Sequence, residues 1–284
     1  MTAIVTSVDS TVASIAGHGI QVEDAFELAP GIILRPNPPK HIAQVVADGC
    51  GSLVEYAAIL SMQEFASCFL EIHEERGGEY LATKAWNSLW LFHLLSLACK
   101  APCSLLYTWS GSVKVNFALS TPHITSQGKG PLVSATIPQL KWAQSHLKNF
   151  EVLQRDNTFT ASLLCYGNSH HLFGYAPRIM LLWSGIERLF KVSSELTRTL
   201  ALYSALMLEE NSADARYDCY KRVKKDYDLR SRVVHGALER ESQMEDVYKR
   251  ASDLLVRLLA RCVDLSRVPT SEELDRAALT GYIS

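Results

Sequence analysis

The chain predicts a mainly α protein in two parts: a C-terminal helical bundle, preceded by an α+β N-terminal domain with a small sheet. Three observations predict it. From about residue 157 onward the apolar residues recur at three- and four-residue steps, the period of one helix face. Before that, short runs of β-branched and aromatic residues alternate with helical segments and are cut by Pro, Gly and polar turns. The composition, 48% hydrophobic and 20% charged over 284 residues, is globular and long enough for two ordinary domains. The boundary is expected near residue 155, giving 1–155 and 156–284.

Residues 1–20 lack a basic stretch ahead of an apolar core, so no secretory signal is expected. Strands are predicted at 20–28 and 31–36, with Pro30 and Gly31 as the turn between them, followed by a Pro-rich joint to Lys40. Residues 51–73 and 79–99 read as two helices too apolar to lie on a surface. The most apolar stretch, 89–99, contains His93 and is about half a membrane span, so it predicts a buried helix in a cytoplasmic protein without membrane contact. Strands are expected again at 104–111, 113–119 and 131–137, around a polar loop at 120–130. Pro138 suits the start of a helix carrying Leu140, Ala143, Leu147 and Phe150, which joins the halves.

Four amphipathic helices follow. The first has Pro177 near its start and an apolar face of Ile179, Leu182, Trp183, Ile186, Leu189 and Phe190. The second carries Leu196, Leu200, Tyr203 and Met207, the third Tyr220, Val223, Tyr227 and Val234, and the fourth runs from Met244 to Cys262. Helices in series with short joints predict a bundle.

Net charge of −2 gives no global attraction to nucleic acid, so any RNA contact needs a local basic patch. Seven cysteines, odd in number and irregular in spacing, do not form a disulfide framework. Cys99 and Cys103 are four apart near His93 without a second ligand pair, and His170 and His171, as neighbours on a helix, are expected to point apart. The HEERGG run at His73 lacks the second His of a zinc protease, and no phosphate loop or Gly-x-Ser-x-Gly elbow occurs. No metal or other cofactor is expected.

The richest chemistry lies in the third helix, in LRSRVVHGA, where Arg230 and His235 precede Gly236. A permanent guanidinium near an imidazole suits phosphodiester chemistry, since histidine titrates near neutrality. A second pair, Arg35 and His41, straddles Pro36, Pro38 and Pro39 and reads as loop. Arg230 and Ser231 interrupt the apolar stripe, with Arg230 on one edge, His235 on the other and Ser231 between them. Arg230 and His235 are not neighbours on a regular helix, so they converge only through distortion before Gly236 or through a second copy packed face to face. The residues also allow a structural reading: Asp226 pairs with Arg230 four positions on, while His235 closes the helix ahead of Gly236.

Residues 156–284 resemble a HEPN domain of the Apea-like kind, an all-helical family marked by an Arg, four to six residues, then a His. Here the motif runs Arg230, Ser231, Arg232, Val233, Val234, His235, after the helices MLLWSGIERLF and SELTRTLALYSALML. Residues 1–155 carry no such resemblance; a regulatory or target-selecting role is expected for them. The resemblance implies a metal-independent endoribonuclease acting as a homodimer, with two motifs facing each other across one cleft. In it the ribose 2′-hydroxyl attacks the adjacent phosphate, His235 moves a proton, and Arg230 binds the charged phosphoryl oxygens. Glu187 matches a recurrent family acid that orients Arg230, and Ser231 sits where the family often has a polar residue. Arg232, Lys224 and Lys225 are expected to add RNA contacts through charge. Toxin-antitoxin or antiviral defence is the implied setting, with an antitoxin or defence complex as partner. The alternative is a HEPN bundle without nuclease activity, serving as an RNA-binding or assembly module. A third reading, a purely structural helical dimer, requires an Arg230–Asp226 ion pair.

Overall fold

The computed structural model describes residues 10–111, 114–120, 132–192, 195–210, 212–237 and 240–280. It is mainly helical with an antiparallel sheet in the N-terminal part, and it divides into two units, 1–145 and 146–284.

In the first unit, strands β1 (Val12–His18), β3 (Phe26–Ala29), β4 (Ile32–Pro36), β5 (Cys68–His73), β6 (Ser104–Ser110) and β7 (Asn116–Leu119) form one sheet in the order β3-β4-β5-β1-β6-β7. A second pair, β2 (Ile20–Gln21) and β8 (Val133–Ser134), is parallel. The helices are α1 (Ala43–Gly49), α2 (Leu53–Gln63), α3 (Gly78–Ser88), α4 (Leu91–Cys99) and α5 (Ile137–Ser145). Strand β1 lies between β5 and β6, with Ile15 opposite both Leu70 and Thr108. Both of its faces are covered. Ala16 packs in a cluster with Ile59, Met62, Trp109 and Phe117, while on the other face the Phe92 ring fills the space that a side chain at Gly17 would need.

Several sequence expectations need correction here. The segment 51–73 is not one helix: α2 stops at Gln63 and its remainder is β5, which pairs with both β1 and β4. Non-local pairing in the middle of a sheet overrides the local pattern there. The segment 79–99 breaks into α3 and α4 around Leu89 and Trp90, and 20–28 splits into β2 and β3. Most of the polar loop at 120–130 lies outside the described residues. The helix from Pro138 ends at Ser145, and the continuation carrying Leu147 and Phe150 is a separate helix of the second unit.

That unit consists of α6 (Leu147–Leu153), α7 (Asn157–Ser169), α8 (Tyr175–Phe190), α9 (Leu196–Leu208), α10 (Ala213–Val234), α11 (Glu241–Leu265) and α12 (Ser271–Thr280). The division falls ahead of residue 155 because α6 packs on α11, where the Asn149 side-chain amide donates to the Val263 carbonyl at 3.1 Å. Local chemistry sets the helix ends. Asp156 caps α7 by accepting from Thr158 and Phe159 N–H, and Ser212 caps α10 by accepting from Ala215 N–H. Helix α8 packs on α7 and α11, and Gly185 permits the close approach, since a Cβ there would strike Cys165 and Leu255. The fully buried Trp183, Tyr166, Phe150, Phe159, Leu255, Leu258 and Leu259 form the interior. Helix α10 packs on α8, α9 and α11 together.

Candidate functional site

The buried residues of α10 are Cys219, Val223, Asp226, Tyr227 and Val233. This face differs from the sequence stripe at its end: Val233 is buried and Val234 is 39% exposed. Packing against three neighbours, rather than one, turns the covered face toward Asp226 and Val233. At 100° per residue, Arg230 therefore points along the middle of this face rather than its edge. Its side chain remains 24% exposed.

Two charges thus sit on an otherwise apolar face, and each is matched by another helix. Asp226, 7% exposed, accepts from Arg250 Nε of α11 at 2.7 Å. Arg230 Nη2 lies 3.4 Å from Glu187 Oε1 of α8. The Asp226–Arg230 pair required by the purely structural reading is not formed among the described residues; both groups choose partners across the bundle.

Around Arg230 the structure brings together Glu187, Tyr227 and Trp183. The Tyr227 hydroxyl donates to Glu187 Oε1 at 3.2 Å, the same oxygen that faces Arg230. The guanidinium carbon stands 5.3 Å from the Tyr227 ring centroid, and that ring meets Trp183 edge-on at 5.1 Å. Burial, reinforced by the Glu187 carboxylate, pushes the Tyr227 phenol pKa up, so it stays a hydrogen-bond donor. Arg230 Nε is buried without a partner among the described residues. The guanidinium faces Glu187 through Nη2, and only its exposed quarter is open to another anion. Tyr227 and Trp183 read from sequence only as apolar-face residues. The signal for their role was the spacing: Trp183 is four before Glu187, and Tyr227 three before Arg230.

His235 occupies a different position. It caps α10 with φ −88°, and its N–H donates to the Ser231 carbonyl at 3.1 Å. Gly236 N–H then bonds Val233 O and Ala237 N–H bonds Arg232 O, while Gly236 adopts φ 68°: a Schellman ending that needs glycine. The His235 side chain is exposed and makes no hydrogen bond or ion pair among the described residues. On an ideal helix it points about 140° away from Arg230. The helix is regular to Val234, so one chain does not converge the two groups. Exposed Lys224, Lys225 and Arg232 share the solvent side with His235, and Ser231 lies half-buried between the two directions.

The remaining candidates resolve as structure. Arg35 lies on β4 and pairs with Glu71 at 2.9 Å, and His41 meets Trp109 and Phe117 edge-on. Cys99 and Cys103 are buried free thiols whose pKa values burial raises, to about 12 for Cys99. His170 and His171 do not point apart: their ring centroids lie 3.8 Å apart with the planes tilted by 40°, because the pair follows α7 in a turn rather than within a helix. Among the described residues no group of three or more His, Cys, Asp or Glu is placed to hold a metal ion, and no helix is long and apolar enough to cross a membrane. No protein-family model, curated protein or solved structure matches the chain.

Proposed function

We propose that this chain is a metal-independent endoribonuclease of the HEPN type that works as a homodimer. The carrying observation is the contrast at one end of α10: a guanidinium that faces Glu187 through Nη2 and stays 24% exposed, and an exposed imidazole with no partner among the described residues. The 2′-hydroxyl oxygen forms a bond to phosphorus while the bond to the 5′-oxygen breaks. His235 takes or gives the proton, and Arg230 binds the phosphoryl oxygens, leaving 2′,3′-cyclic phosphate and 5′-hydroxyl ends. Because the two groups point to different sides of α10, the reading takes Arg230 from one copy and His235 from the other. Glu187 and Tyr227 position Arg230, Ser231 supports the site, and Lys224, Lys225 and Arg232 contact RNA backbone. Seven unbridged cysteines fit a reducing cytoplasm. The toxin or antiviral setting, and an antitoxin or defence-complex partner, follow from the family resemblance.

A second reading, an RNA-binding or assembly module without nuclease activity, draws support from Glu187, whose carboxylate already faces the Arg230 charge. Labelled RNA incubated in EDTA with wild type, Arg230→Ala and His235→Ala separates the two. The nuclease reading expects cyclic-phosphate ends from wild type and at least roughly a hundredfold slower cleavage by each variant. RNA bound but uncut by wild type would favour the module.

A further inference from the structure

A cavity of about 300 Å³ lies between α10 and α11, at the small end of the range for ligand sites. Two of its arginines are separated by apolar surface. Arg250 and Arg257 both line it from α11, seven residues or about 10 Å apart along the axis, and Leu254 stands about one turn from each. Val223 of α10 completes the apolar middle. Arg222 and Lys249 add two more cations, against the carboxylates of Asp226 and Asp253, so the lining among the described residues carries two positive charges in excess. The ion pairs already present leave these cations accessible. Arg250 Nε donates to Asp226 Oδ1 at 2.7 Å while the arginine side chain stays 40% exposed. Arg257 Nη2 donates to Glu209 Oε1 at 3.2 Å, and its Nη1 stands 3.8 Å from Asp253, a loose contact with an exposed carboxylate. Lys249 pairs with Glu245 at the surface, where such pairs exchange readily, and the exposed Arg222 meets the Cys219 thiol, a weak acceptor. Guanidinium forks at two ends of a hydrocarbon floor match an anion with a carboxylate at each end and methylenes between them.

We propose that this cavity binds a short aliphatic dicarboxylate. One carboxylate pairs with Arg250 and Lys249, the other with Arg257, and the methylene chain lies on Leu254 and Val223. The ligand's two negative charges balance the excess on the lining. The proposal stands independently of the nuclease reading, and because its test uses no RNA the two fail separately.

Isothermal titration of the full chain with glutarate and adipate tests it, with butyrate and inorganic phosphate as comparison anions. The expected result is binding of at least one dicarboxylate with Kd below about 1 mM, and about tenfold tighter than butyrate or phosphate, because each end adds a charge-assisted pair. Arg257→Gln should weaken the dicarboxylate about tenfold, to the level of butyrate. Glu209→Gln removes the acid that competes for Arg257 and should tighten binding about threefold, which decides the matter even if Arg257→Gln fails to fold. Lys40→Gln in the first unit removes a surface charge and should change nothing; thermal melting checks that each variant folds. No binding of either dicarboxylate, butyrate or phosphate binding as tightly, or affinity unchanged in both cavity variants would each overturn the proposal.

Discussion

At the residue scale, Arg230 and Asp226 show two uses of charge on one helix face. Asp226 is almost enclosed and its partner is firmly placed, so Arg250→Ala should cost about 2 kcal/mol in urea denaturation. That is less than for a fully buried pair, because Arg250 is 40% exposed. A loss below about 0.5 kcal/mol would mean the Asp226 carboxylate is solvated by other means. Arg230→Met should change stability by less than about 1 kcal/mol, because Glu187 is partly exposed and keeps its bond from Tyr227. A residue that matters to cleavage and little to stability is what a functional arginine predicts. Two histidines of the first unit set a pH dependence: burial lowers the pKa of both His41 and His93 below 6.5. The unfolded chain takes up those protons first as pH falls through about 6.5. Stability is therefore unaffected above that value and declines below it until the folded-state values are passed. Denaturation midpoints should fall between about pH 7.5 and about pH 5.5, and His93→Leu should flatten the slope.

At the element scale, the end of α10 rests on Gly236. Its φ of 68° is open only to residues that tolerate the left-handed region, and a Cβ there meets nothing within 4 Å. Gly236→Ala should therefore cost about 1 kcal/mol through backbone strain alone, with Gly236→Asn milder, as chemical denaturation would show. In the second unit α8 to α11 were legible in sequence because each carries its apolar period, with Pro177 near the start of α8; the caps Asp156 of α7 and Ser212 of α10 emerge only in the structure. The strands β1 and β5 were not. VASIAGH is buried along nearly its whole length, so it has no polar alternation to read, and β5 gains its partners from strands far away in sequence. The site divides the same way. Arg230 and His235 stand out locally, whereas Arg250 as the partner of Asp226 depends on α11 packing beside α10.

At the scale of the whole molecule, the central claim is that one active site is built from two chains of 31.6 kDa each. The regular course of α10 to Val234 makes that claim specific, since Arg230 and His235 face different sides of the same helix. A two-fold dimer presents each surface to its mate, so the arginine of one copy can meet the histidine of the other. The direct measurement mixes Arg230→Ala with His235→Ala, allows the subunits to exchange, and follows RNA cleavage in EDTA. Half the dimers are then mixed, each with one intact Arg230–His235 combination, so activity should return to roughly a quarter of wild type. Activity no greater than that of either variant alone, from a mixture shown to contain mixed dimers, would contradict the account.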